Sequence, residues 1–189
     1  SGGTINVTTG AGGTVSVGTG GAGGNSAMSC DGKLTAVIRE RYATANAADR
    51  WRLTTLQMQA GSSPAALRSG LGQRAARLGT GQDDLDDFAP VVAALSEVGV
   101  SAKATALVEL ARRSDEKKIV FTRFRATLDE LERVLVEAGF RVAVFHGGLT
   151  TTEKEAAIVA FQGDAEMLLS SEIGGEGRNL QFCRTAINS

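Results

Sequence analysis

The sequence predicts an α/β fold: a parallel sheet with flanking helices, preceded by a small helical segment and a disordered Gly-rich N-terminus. Three observations carry that reading. From residue 101 onward, short apolar runs alternate with helical stretches of about 10–15 residues, which calls for parallel strands joined by right-handed crossovers. Upstream, leucines recur at helical spacing between residues 29 and 100. The first 24 residues contain ten glycines and no charge, too little apolar surface to offset the entropy of ordering them. The expected segments are 1–28, 29–100 and 101–189.

The N-terminal segment reads as a linker, a tag remnant or a disordered tail. Gly18-Thr19-Gly20-Gly21-Ala22-Gly23 has the spacing G-x-G-x-x-G. No strand precedes it and no helix follows at once, so it is not a dinucleotide fingerprint. Thr14-Val15-Ser16-Val17 alternates, and makes a short strand only if a partner edge is available. Next, Leu34, Val37, Ile38 and Arg41 have helical spacing, and Trp51, Leu53, Leu56 and Ala60 suggest a second amphipathic helix. Ser62-Ser63-Pro64 reads as an N-cap followed by proline at the first helical position. Leu67, Leu71 and Leu78 continue that helix despite Gly70 and Gly72. The acidic cluster Asp83-Asp84-Leu85-Asp86-Asp87 reads as a solvated loop capping the next helix rather than a cation site. Pro90 opens the apolar stretch Val91 to Leu95, which Gly99 closes.

The α/β alternation begins at Ser101. Ala104, Leu107, Val108, Leu110 and Ala111 form one helical face, with Arg112-Arg113 suited to its last turn. Ile119 to Phe121 is a short buried strand. Leu128, Leu131, Leu135 and Ala138 line a helix that Gly139 terminates. Val142 to Phe145 is the next strand, Thr150 or Thr151 caps a helix through Phe161, and Met167 to Leu169 is the third strand. In open sheets of this kind ligands sit beyond the carboxyl ends of the strands. Thr122-Arg123, His146-Gly147-Gly148 and Ser170 to Asn179 all fall there.

The last of these is the most distinctive. The strand stops in Ser170-Ser171-Glu172, and three glycines then fall within four positions: Gly174, Gly175 and Gly177. Glycine removes the Cβ that would hold a phosphate or ribose away, and leaves backbone N–H groups free to donate. A strand-to-helix turn with no ligand has the same spacing.

A hydrophobic share of 42% is ordinary for a globular core, and a net charge of −1 means that any basic surface is local. Two cysteines, Cys30 and Cys183, and one histidine, His146, make neither a disulfide framework nor a zinc site. Cys183 is expected to pack as a small apolar residue. No apolar run reaches membrane-spanning length, and the start lacks a signal peptide's charged region and apolar core. A cytoplasmic setting is the expectation.

Ser170-Ser171-Glu172-Ile173-Gly174-Gly175-Glu176-Gly177-Arg178-Asn179-Leu180-Gln181-Phe182 resembles motif V of superfamily-two helicases of the Swi/Snf type, in the bacterial RNA-polymerase-associated (RapA-like) branch. Lys118-Ile119-Val120-Phe121-Thr122-Arg123-Phe124 resembles motif IV. Phe145-His146-Gly147-Gly148-Leu149 with Ala157 to Phe161 resembles the segment between them. The likeness covers residues 101–189, and 52–78 more loosely. It implies a RecA-like helicase C-terminal lobe, cut off after motif V, from an enzyme that hydrolyses ATP to move along double-stranded DNA or a DNA–protein complex. RNA polymerase and the enzyme's first RecA-like lobe are the implied partners, and the bacterial nucleoid the implied setting. By resemblance, Gly175, Glu176, Gly177, Arg178 and Asn179 lie near ATP. Thr122, Arg123, His146, Gly147 and Ser171 lie where the family meets the nucleic-acid backbone. Lys154 stands where the family has arginine, which keeps the charge and loses bidentate geometry.

ATP hydrolysis also needs a phosphate cradle and Mg²⁺ ligands. The sequence has no G-x-x-x-x-G-K-[ST], and Gly32-Lys33 is followed by Leu34. The family places the cradle, and most contacts to Mg²⁺, in the first lobe, and its arginine fingers beyond motif V. Alone, this chain is therefore expected to be inactive as an ATPase. The rival reading is a non-catalytic Rossmann-like module that docks a protein partner through its helices.

Overall fold

A computed structural model describes residues 4–9, 14–18, 30–78, 86–171, 183 and 185–188. The chain divides into two compact units, residues 21–101 and residues 102–189 together with 2–20.

The first unit is helical: α1 (Cys30–Thr44), α2 (Ala47–Ser62), α3 (Pro64–Leu78) and α4 (Ala89–Ser96). Its helix starts are written in side-chain acceptors. Asn46 Oδ1 takes the Asp49 N–H at 2.9 Å, and Ser63 Oγ takes the Ala66 N–H at 3.0 Å. Pro64 follows Ser63 at the position where a missing N–H costs nothing. Leu34, Ile38, Leu53, Leu56, Leu67, Leu71, Phe88, Val91 and Leu95 form the core. The Arg68 guanidinium donates to the carbonyls of Leu95 and Val98, both at 2.6 Å, and so closes the end of α4.

Two expectations fail in this unit. Trp51 is 70% exposed, because residues two apart on a helix do not share a face and Leu53 holds the buried one. Nor does Asp87 cap the next helix. The Arg41 guanidinium holds its carboxylate, with Nε 2.6 Å from Oδ2, and Phe88 occupies the cap position without a side-chain bond. Asp83, Asp84 and Leu85 lie outside the described residues.

Among the described residues the second unit holds a six-stranded sheet in the order β2 (Thr14–Gly18), β1 (Thr4–Thr9), β6 (Thr185–Asn188), β3 (Lys118–Phe121), β5 (Met167–Ser170), β4 (Val142–Phe145). Its parallel part is β3 (Lys118–Phe121), β4 (Val142–Phe145), β5 (Met167–Ser170) and β6 (Thr185–Asn188). Helices α5 (Ala102–Arg112), α6 (Arg125–Glu137) and α7 (Thr151–Gln162) flank it. Side chains alternate between two apolar layers. Val120, Met167, Leu169 and Ile187 pack with Ala104, Leu107, Leu128, Leu131 and Leu135 of α5 and α6. Ile119, Ala143, Phe145 and Leu168 pack with Phe161 of α7 and with Ala165. Covering both faces is what lets short, continuously apolar strands stand as a parallel sheet. The RecA-like α/β architecture expected from the sequence is thus present.

Two strand assignments differ from expectation. β6 holds a single large apolar residue, Ile187, and becomes a strand through its parallel register with β3, from Lys118 opposite Thr185 to Phe121 opposite Asn188. The Gly-rich N-terminus, expected to be disordered, contributes β1 (Thr4–Thr9) and β2 (Thr14–Gly18). They pair antiparallel with each other, and β1 pairs antiparallel with β6. The alternating Thr14 to Val17 has found the partner edge it needed.

Helix ends follow local chemistry. Gly139, at φ 93°, ends α6. The N–H groups of Gly139 and Phe140 donate to Val136 and Leu135, each at 3.0 Å, the paired bonds of a Schellman ending. Lys117 closes α7 from outside: its ammonium donates to the carbonyls of Phe161, Gly163 and Ala165 at 2.7, 2.6 and 2.8 Å. Cys183 is half-buried against the Phe161 layer, as expected of a small apolar residue, and burial pushes its thiol pKa up.

Lys117→Met keeps the aliphatic stem and removes the three donors. Hydrogen bonds from a charged group are worth about 1.5–3 kcal/mol net, so urea denaturation should show a loss within about that range. A midpoint unchanged from the native protein would mean that water caps α7 equally well.

Candidate nucleic-acid interface

The parallel register sets the site. Ser170 stands opposite both Phe121 and Phe145, and Asn188 opposite Phe121, so the strands end level at their carboxyl edge. The next residues are Thr122, His146 and Ser171. Backbone bonds carry the ladder one step further: the Thr122 N–H donates to Ser170 O at 2.8 Å, and the Ser171 N–H to Phe145 O at 3.2 Å.

Thr122 is 3% exposed, and its hydroxyl has no hydrogen-bond partner among the described residues. A buried orphan hydroxyl costs about 1–3 kcal/mol, so among the described residues this group stands at a loss to stability. Arg123 beside it is exposed, as is Gly147, while Ser171 is half-buried.

His146 is half-buried at the end of β4, and two donors meet its ring. The Gly148 N–H donates to Nδ1 at 3.0 Å, and the Arg125 guanidinium meets Nε2. A neutral imidazole offers one nitrogen lone pair, so these two donors compete for it. A Cβ at position 148 would come within 3.2 Å of the imidazole Cε1 and Nδ1, so a side chain there would press on the His146 ring. Lys154 lies over the Phe145 ring, 5.6 Å from its centre.

Arg125 and Glu153 were not singled out in the sequence. Arg125 opens α6, where a cation opposes the helix dipole. It is offset by Asp129, whose Oδ1 accepts from Nε at 2.6 Å. A basic residue at a helix start, four residues past a strand, is the signal that would have found it. Glu153 closes a capping box: the Thr150 N–H and hydroxyl both donate to Oε2 at 2.8 Å, and the Glu153 N–H returns to Thr150 Oγ1 at 3.3 Å. Those bonds, the backbone one foremost, hold its carboxyl below the usual range, and His146 adds to the effect. Thr150, not Thr151, is the cap.

The edge thus brings Thr122, Arg123, His146, Gly147 and Ser171 together around hydroxyl, guanidinium and main-chain donors. Such a set suits an anionic backbone. Among the described residues no group of three or more His, Cys, Asp or Glu could hold a metal ion. Gly175, Glu176, Gly177, Arg178 and Asn179 lie outside the described residues. No helix of the described residues is long and apolar enough to cross a membrane.

Residues 102–189 match the helicase conserved C-terminal domain. The chain is 35% identical over 105 residues to an uncharacterized ATP-dependent helicase, YqhH, of Bacillus subtilis (strain 168), covering 56% of this chain and 19% of that protein. It is 46% identical over 77 residues to the RNA polymerase-associated protein RapA of Erwinia tasmaniensis, covering 39% of this chain and 8% of that protein. The chain therefore spans less than a fifth of the length of either relative. The C-terminal part of the Fun30 ATPase domain shares the fold, with a TM-score of 0.50 at 19% identity over 82% of this chain and 67% of that one.

The Glu153 shift sets a pH dependence. A carboxyl whose pKa is depressed in the folded state stabilises fully above its unfolded value, 4.5, and loses that contribution as pH falls through the folded value. Glu153→Gln keeps a capping-box acceptor and cannot titrate. Urea denaturation between neutral and acid pH should show the native protein ahead of the variant at pH 7, with the gap closing below pH 4.5. A gap of constant size across that range would show that the carboxylate charge plays no part.

Proposed function

We propose, from the match of residues 102–189 to the helicase conserved C-terminal domain and the likeness to RapA, that this chain is the second RecA-like lobe, with its preceding helices, of a Swi/Snf-type ATP-dependent translocase of the RapA-like branch. The observation that carries this reading is the level carboxyl edge, where Thr122, Arg123, His146, Gly147 and Ser171 follow strands held in register. These residues contact the backbone of double-stranded DNA. By their resemblance to motif V, Gly175, Glu176, Gly177, Arg178 and Asn179 are the residues that contact ATP in this reading.

Mg²⁺ does not fit the described residues, which offer no cluster of ligands, and the chain has no Walker-A lysine. In this reading the first lobe supplies both, and the chain alone hydrolyses no ATP. The work of the present residues is to hold and orient. Contacts to phosphate and sugar fix the register on the duplex without reading bases, as a motor moving over any sequence requires. DNA–protein complexes, RNA polymerase among them, are the proposed targets, with the reaction taking place in the bacterial cytoplasm.

The test is duplex binding by the purified chain. Binding should be weak and independent of sequence, with log affinity falling by about 0.9 per phosphate contact per log unit of salt. Arg123→Ala should make that slope shallower by about one unit. Preference for one sequence, or a slope that Arg123→Ala leaves unchanged, would overturn the backbone contact.

Thr122→Val probes the orphan hydroxyl. Removing an unpaired buried polar group at constant shape should leave thermal stability equal or higher, while costing about two- to tenfold in duplex affinity for one lost hydrogen bond. Lower stability with unchanged affinity would mean that the hydroxyl serves the fold.

A further inference from the structure

The helical unit has a binding surface of its own. A groove of about 270 Å³ is lined by Arg52, Arg74 and Arg77 of α2 and α3, with Gln73 and one carboxylate, Asp49. Trp51 lines it as well, with 70% of its surface exposed. Asp49 Oδ1 lies 2.8 Å from Arg52 Nη1 and offsets one guanidinium charge, which leaves the groove with a net positive charge. Gly70 lines its buried side: a Cβ there would fall 1.9 Å from Gln59 Oε1, so any side chain would displace the Gln59 carboxamide. The charge is that of the lining: residues 21–101 as a whole carry eight Lys or Arg and eight Asp or Glu and are neutral.

We propose that this groove binds single-stranded nucleic acid, with one base stacked on Trp51 and the adjoining phosphates held by Arg52, Arg74 and Arg77. An exposed indole beside guanidinium groups is the pairing that non-specific single-strand sites use, because every unpaired base has a face to stack and every nucleotide a phosphate to neutralise. A base in a duplex is already stacked on both faces and cannot reach the indole. The volume sits just below the range of about 300–1,000 Å³ common for small-ligand pockets. That suits one nucleotide unit of a passing strand. An acidic peptide would match the charge and leave the indole without a partner. This groove belongs to the helical unit alone and is independent of the function of the lobe.

Trp51 is the only tryptophan in the chain, so its emission reports on this groove. The full chain is titrated with three probes: an oligothymidylate of about twelve nucleotides, a duplex of equal length, and poly-glutamate. The oligothymidylate should quench Trp51, with a salt slope of about −0.7 per phosphate contact for single strands. Arg77→Ala should make that slope shallower by about 0.7. With a labelled strand followed by anisotropy, Trp51→Phe should retain most of the affinity, and Trp51→Ala should lose about fivefold or more. These side chains are exposed or outside the core, and circular dichroism verifies that each variant folds. Absence of quenching by the single strand, equal quenching by the duplex, quenching by poly-glutamate in its place, or a slope that Arg77→Ala leaves unchanged would each overturn the proposal. The signal arises only at Trp51, so failure of duplex binding at the lobe would leave this result readable, and the reverse holds.

Discussion

Parallel pairing of β3 with β5, and of β5 with β4, brings Phe121, Ser170 and Phe145 into one row, and the geometry of the candidate interface depends on that register. The register is held from both faces. Val120 and Leu169 point into the α5–α6 layer, while Ile119 and Leu168 point into the α7 layer. A slip of one residue would exchange the two sets, sending every side chain to the wrong layer. Packing on both faces is therefore what lets Thr122, His146 and Ser171 emerge at one level.

The two ends of this sheet treat their polar groups differently. At the amino end, the Lys117 ammonium is occupied by three carbonyls. Lys118, buried at the start of β3, donates to the carbonyls of Ser114 and Glu116; burial lowers its pKa, and the nearby acidic groups oppose that shift. The cations there are committed to the fold. At the carboxyl end, Arg123 is exposed and the Thr122 hydroxyl is unpaired among the described residues. A protein that keeps a buried donor without a partner forgoes stability at that point, and such points concentrate where a ligand completes the bonding.

The first unit has an analogous division of labour. Arg68 and Arg41 are tied to Leu95, Val98 and Asp87 within the unit. Arg52 (paired with Asp49), Arg74 (over the Phe88 ring) and Arg77 line a groove. A near-neutral chain can present a basic groove locally, because the lining there carries three guanidinium groups and one carboxylate. Net charge summed over the whole chain conceals such an arrangement.

Much of this architecture was legible in the residues themselves. Strands β3, β4 and β5, the Gly139 ending, the cap before Pro64 and the carboxyl-edge position of Thr122, His146 and Ser171 all follow from local chemistry and apolar periodicity, which act over a few residues. The rest depends on partners distant in sequence. Thr185 to Asn188 has too little apolar character to announce a strand, and β3 makes it one. Thr4–Thr9 and Thr14–Gly18 gain a ladder only through β6 and through each other. Arg125 meets His146 across 21 positions, and Trp51 is turned outward because Leu53 takes the core. Periodicity can say that a segment has an apolar face or a place to turn. Which donor stands opposite which acceptor, and which edge finds a strand, is decided only when remote segments are packed, since those bonds exist in no stretch of sequence taken alone.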